Sequence, residues 1–229
     1  MGKAFNFEGP LFSFLSRLAD LFWLNLLFII CSIPVITIGA SSTAMYYVTL
    51  KMAKNEEGYI TRSFFKSFKE NFVQATAIWM MFLVLAVIML LDLRIANSGS
   101  GAQVFGSSFV SNVVIVSVGV MTIVVMMTLL YVFPILAQFD NTVKNTIKNS
   151  FLISIRHLPY TVLMLVITAI PVLLVMYFLP LSLLILIMFS GTAYINSRFF
   201  NKVFVHYMPG EEGSETGSED PAEVVNGEG

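Results

Sequence analysis

Long uncharged runs alternate with short charged ones along this chain. The first apolar run extends from Leu11 to Ile33 and stops before Pro34. Helices tend to end there, because the proline ring removes a donor and clashes with the preceding turn. A second, softer run, Thr37 to Met52, reaches Lys51 and Lys54 too soon to span ~30 Å of hydrocarbon untilted. The third covers Phe72 to Leu91 and ends at Asp92 and Arg94. A polar Gly/Ser loop follows, Ala96 to Ser108. The fourth, Phe109 to Phe139, has no charge, and Pro134 is expected to kink or end it. Leu158 to Ser197 is again uncharged, enough for two crossings of about 20 residues each, folded at Leu179–Pro180.

Two connecting segments have another period. Over Thr61 to Phe72, Phe64, Phe65, Phe68 and Phe72 fall on one helical face and Arg62, Lys66, Lys69 and Glu70 on the other. Over Asn141 to Leu158, Val143, Ile147, Phe151 and Ile155 form the stripe, with Lys144, Lys148 and Arg156 off it. Both read as amphipathic elbow helices lying in the interface plane. Ser63-Phe64, Ser67 and Lys69 match Ser150-Phe151, Ser154 and Arg156 at a constant offset, a weak hint of an internal repeat. The predicted fold is all-α: a polytopic transmembrane bundle of about six membrane-embedded helices with two interfacial elbows.

Composition agrees. Apolar residues make up 57% and charged residues 12%, and the mean hydropathy is +0.82. A soluble protein carries about 25% charged residues to wet its surface, so lipid must be the solvent over most of this chain. Residues 1–209 form the helical domain. From Gly210 to Gly229 the chain holds 7 of its 14 acidic residues and no basic one, a composition that reads as a disordered tail. The body then has 13 basic and 7 acidic groups. They flank apolar runs, where lipid headgroups explain them without nucleic acid. Cys31 is the only cysteine. A cleaved signal peptide is not expected, since apolar segments keep recurring.

The basic residues of both connecting segments, with Arg198 and Lys202, favour the cytoplasmic side. Six helices with both termini inside follow, and five helices with the N-terminus outside is the alternative. Ionisable groups are absent from the third to sixth helices, and Asp20 lies near an end of the first. His157 and His206 flank membrane segments with no second ligand near in sequence. No phosphate loop or HExxH pattern occurs, so neither catalysis nor a cofactor is expected. Uncharged polarity remains. Asn25 sits amid apolar neighbours and is expected to bond another helix, and Gln74 and Thr76 to do likewise. Small-residue patches, Gly39 to Ala44 (with Ser41) and Ser190-Gly191-Thr192-Ala193, permit close helix approach. They are candidates either for internal packing or for docking another membrane subunit.

The chain resembles the YesL-like family of bacterial membrane proteins. The likeness rests on Glu8-Gly9-Pro10, Asn25, Ser32-Ile33-Pro34, Thr37 to Ser41, Ala44 to Lys51, Asn71 with Gln74-Ala75, and Tyr131 to Pro134. The resemblance implies a bacterial cytoplasmic membrane and a role beside oligosaccharide ABC importers. Two readings follow from it. One is an accessory subunit that binds the permease subunits. The other is a signalling partner of a sensor kinase controlling carbohydrate use.

The orientation is open to direct measurement. In a Cys31→Ser background, cysteines at Lys66 and Lys148 should resist a membrane-impermeant thiol reagent in intact cells, and one at Gly101 should react. Strong labelling at position 66 would invert the topology.

Overall fold

The computed structural model describes residues 10–56, 58–97, 108–177 and 185–207. Every element among them is helical: α1 (Pro10–Ser32), a 3-10 turn (Val35–Thr37), α2 (Ile38–Ala53), α3 (Ile60–Asn97), α4 (Ser108–Gln138), α5 (Val143–Arg156), α6 (Leu158–Tyr177), α7 (Ile185–Phe204) and a last 3-10 turn (Val205–Tyr207). The all-α membrane reading therefore holds. Most of the Gly/Ser loop, the Leu179–Pro180 turn and the acidic tail lie outside the described residues.

Three helical stretches are long and apolar enough to cross a membrane: Ser13–Ser32, Ile60–Ala96 and Phe109–Gln138. Val143–Arg156 with Leu158–Ile170, bent by 101°, makes a fourth if that pair is one span. Six spans is more than these residues support. The soft second segment is one reason, since 16 residues of α2 rise only about 24 Å. Pro134 lies inside α4, which ends one turn later at Gln138.

The two elbows differ. Residues 61–72 are not a separate in-plane helix. They form the first turns of the 38-residue α3, because nothing in Asn71-Phe72-Val73-Gln74 breaks a helix. Arg62, Lys66 and Lys69 therefore stand on the charged end of a rod about 57 Å long, well beyond a ~30 Å hydrocarbon layer. The second elbow, α5, is separate. His157 leaves helical geometry at φ −111° and ψ 41°, two residues before Pro159, whose missing N–H suits only a helix start.

Short α2 lies at the centre. It packs on α1, α3, α4 and α7, and each of the three apolar clusters contains part of it. Leu50 joins Tyr131, Phe200 and Phe204. Ala44, Met45 and Val48 join Leu24, Phe28 and Phe64. Ala40 joins Ala75, Ile78 and Val132. The long helices α3 and α4 instead leave many large apolar side chains exposed, among them Val73, Leu90, Val116 and Ile123.

The ends of α2 are closed by specific bonds. At its C-terminus Glu56 N–H donates to Lys51 O (3.0 Å) and Asn55 N–H to Met52 O (3.2 Å). This six-to-one plus five-to-two pairing requires a left-handed residue between. Asn55, at φ 57°, supplies it, and Arg17 Nη2 donates to its Oδ1 at 2.7 Å. At the N-terminus the apolar turn Ile33-Pro34-Val35-Ile36 would leave carbonyls bare. Thr37 Oγ1 donates to Cys31 O (2.6 Å) and Pro34 O (2.7 Å), and Trp79 Nε1 donates to Val35 O (2.8 Å). Trp79 falls within the uncharged stretch 71–91 of α3. A turn meeting α3 there needs its carbonyls satisfied by protein, since lipid offers no donor.

Trp79→Phe keeps the ring and removes the donor. Val35 O keeps the Ile38 N–H but loses its bond across to α3, which should cost about 0.5–1.5 kcal/mol, read as a fall of a few degrees in the thermal midpoint of the detergent-solubilised protein. An unchanged midpoint would mean that this bond does not hold the turn against α3.

Candidate functional site

Asn25 bonds another helix, as its apolar surroundings required. It is fully buried on α1, and its Oδ1 accepts from the Ser190 N–H of α7 at 3.3 Å. Ser190 Oγ donates back to Leu21 O at 2.7 Å. Further polar pairs join α7 to its neighbours. Ser197 Oγ donates to Thr49 Oγ1 (2.8 Å) and Asn201 Nδ2 to Leu50 O (3.3 Å), both on α2. Asn196 Nδ2 donates to Thr168 Oγ1 on α6 at 3.0 Å. Ser190 belongs to the second small-residue patch, but the sequence reading passed over the other residues, although Ser190, Ser197 and Asn201 are spaced by seven and four and so share one helix face. Thr76 does not behave like Asn25: its hydroxyl is buried without a partner.

The Gly39–Ala44 patch serves internal packing. Gly39, Ala40, Ser41 and Ala44 are all buried. A Cβ at Gly39 would lie 2.5 Å from Ala75 O and 2.7 Å from Trp79 Cβ, both on α3. At Gly39 the docking reading is therefore corrected, since the chain's own α3 fills the space a partner would need; Ser41 and Ala44 are enclosed beside it. Gly191 differs, since a Cβ there would meet only Ile187 Cγ2 of its own helix at 3.6 Å.

The basic residues are on the surface. On α3, Arg62, Lys66 and Lys69 line a groove of about 610 Å³ with Tyr59, Ile60, Thr61 and Phe65. Tyr59 is 82% exposed, whereas Phe64 is fully buried. Phe64 stacks on Phe68 at a ring distance of 6.1 Å, and Phe68 meets Phe72 at 5.5 Å with the rings tilted. On α5 the buried face is Thr146, Ser150, Ile153 and Ser154. Phe151, Leu152 and Ile155 are turned out beside the exposed Lys144, Lys148 and Arg156. The matched Phe64 and Phe151 thus have opposite fates, and the hinted repeat does not extend to packing.

The elbow bend is tied by Thr161 of α6. Its Oγ1 lies 3.0 Å from Tyr131 Oη and donates to Ser154 O at 2.8 Å. Arg17 works across helices, donating to Tyr194 Oη at 2.9 Å as well as to Asn55. Among the described residues no group of three His, Cys, Asp or Glu side chains stands together.

Residues 21–93 match the family described as "Protein of unknown function, DUF624". They run from the Leu21–Asn25 contact through α2 and most of α3. A relative in Bacillus subtilis (strain 168), "Uncharacterized protein YteU", is 25% identical over 150 residues, 65% of this chain and 63% of that protein. The match spans less than two thirds of that relative's length. No solved structure matches.

The two glycines make a paired test. Gly39→Ala should destabilise by about 1–3 kcal/mol through overpacking, because backbone and Trp79 stand in the way. Gly191→Ala should be neutral or slightly stabilising. Equal midpoints for both variants would show that α2 and α3 do not approach this closely.

Proposed function

With the YesL-like, DUF624 pattern of residues 21–93 as its premise, we propose that the chain is an integral membrane accessory subunit of an oligosaccharide ABC import system. It binds the permease subunits and supports carbohydrate uptake, and it catalyses nothing itself. In this reading the host membrane is the bacterial cytoplasmic membrane and both termini face the cytoplasm.

The observation that carries the reading is the charged N-terminal end of α3. Its first turns hold Arg62, Lys66 and Lys69 beside exposed Tyr59 and Phe65. Aromatic and arginine side chains are the residue types that anchor protein interfaces, and an exposed aromatic among cations suits an acidic segment of a partner. The lipid-facing sides of α3 and α4 add apolar surface on which another membrane subunit could pack. This moves the contact away from Gly39 and Ala44, which are enclosed.

Two measurements test it. A strain lacking the protein should grow poorly on the cognate oligosaccharide and normally on the free monosaccharide. Replacing Tyr59 and Phe65 by Ala, with Lys66→Glu, should cut recovery of permease subunits in mild-detergent pull-downs at least tenfold while the protein still inserts. Equal growth on both sugars, with a sensor kinase recovered instead of a permease, would replace this reading by the signalling one.

A further inference from the structure

Where α4, α5 and the C-terminal 3-10 turn meet, the fold leaves a second cavity of about 390 Å³. It falls in the size range of small-molecule sites. Its apolar wall is Ile135 and Phe139 of α4 with Leu152 and Ile153 of α5. Its polar wall is Asn141, Asn149, Arg156 and Tyr207. Among the described residues, Arg156 is the one charged side chain lining it. We propose that this cavity holds the headgroup of an anionic phospholipid, with the acyl chains running out over α5.

Charge and unfilled hydrogen bonding support this occupant. The Arg156 guanidinium carbon lies 5.9 Å from the Tyr207 ring centroid. That contact shields one face of the planar group and leaves its N–H edge for a phosphate oxygen. The Asn141 and Asn149 amides and the Arg156 guanidinium make no side-chain hydrogen bond or ion pair among the described residues. Three donors thus converge on one space. Tyr207 is held in place by the His157 ring, with its Oη 3.4 Å from Nε2. Lys144 and Lys148 on the same helix add attraction, and Asp140, exposed beside Asn141, opposes it.

The apolar surroundings distinguish a lipid from a free anion. Leu152 lines the cavity yet is 54% exposed, and Phe151 and Ile155 beside it are 38% and 48% exposed. Cavity wall and outer apolar surface are thus continuous through one side chain. Inorganic phosphate would use the donors and ignore that surface, whereas a glycerophospholipid uses both. Basic pockets beside membrane helices bind anionic headgroups on the same principle.

The full chain in mild detergent serves for the test. Its thermal midpoint is followed during titration with short-chain phosphatidylglycerol, short-chain phosphatidylcholine, glycerol 3-phosphate and inorganic phosphate. Phosphatidylglycerol should raise the midpoint saturably and the other three should not. Arg156→Gln should weaken the response about tenfold, as expected for loss of a charge-assisted bond, and Asp140→Asn should strengthen it. Leu152→Trp, which fills the cavity without touching a charge, should abolish it even if Arg156→Gln proves unstable. Lys66→Gln with Lys69→Gln, on α3 and outside this cavity, should leave the response to phosphatidylglycerol as it is. An equal response to phosphatidylcholine, or to phosphate alone, would overturn the proposal, as would an undiminished response in Leu152→Trp.

Discussion

The closest approach of α2 to α3 at Gly39 governs the rest of the bundle. In lipid there is little hydrophobic gain in pressing one helix on another, so association rests on van der Waals contact and interhelical hydrogen bonds. Both depend on distance. With no Cβ at position 39, the Ala75 carbonyl and the Trp79 side chain come within reach of the α2 backbone. That places the Trp79 indole on Val35 O and so fixes the turn between α1 and α2. It also holds Ala40, Ala44 and Leu50 where all three apolar clusters can form around them. A helix too short to cross the membrane becomes the piece on which longer ones are aligned.

Hydrogen bonds then fix helix rotation, which van der Waals packing constrains only weakly. Each interhelical bond in such a bundle is worth about 0.6 kcal/mol, so no single one holds the fold. Their distribution matters more. Asn25 with Ser190 sets α1 against α7. Thr49 with Ser197 sets α2 against α7. Thr161 with Tyr131 sets α6 against α4. Leaving one partner of such a pair unbonded costs more than the bond contributes, and that asymmetry discriminates against rotated alternatives.

Much of this was legible before any coordinates. Charge-free runs marked the long helices, Pro34 marked the end of α1, and Asn25 announced a polar contact because lipid would not tolerate it. The first elbow was misread for a physical reason. A hydrophobic stripe reports a half-buried face but not the direction of the axis, so Phe64, Phe68 and Phe72 fit an in-plane helix and the start of a rod equally well. Only a break distinguishes them. His157 before Leu158-Pro159 supplies one, and Asn71-Phe72-Val73 does not. The role of Gly39 was half legible: small size signals close approach, but whether the neighbour is α3 or another protein depends on tertiary placement. Thr49, Thr168 and Trp79 were missed because a threonine or tryptophan in an apolar helix carries no sign of its partner.

The two basic helices show how burial, more than composition, decides what a surface can meet. Both combine lysine and arginine with phenylalanine, serine and leucine or isoleucine. In α3 Phe64 turns inward completely and Phe68 in part. What remains outside is three cations and Glu70 with Tyr59 and Phe65, at an end of the rod clear of its long uncharged stretch. In α5 the serines and Thr146 turn inward, using α4 as cover. What remains outside there is Phe151, Leu152 and Ile155 together with the cations. A surface of charge plus isolated aromatics suits an aqueous protein segment. A surface of charge plus continuous aliphatic area suits a molecule that is itself anionic at one end and apolar at the other. The same residue types therefore lead to a protein partner at α3 and a lipid at α5, and the inward face chosen by each helix makes the difference.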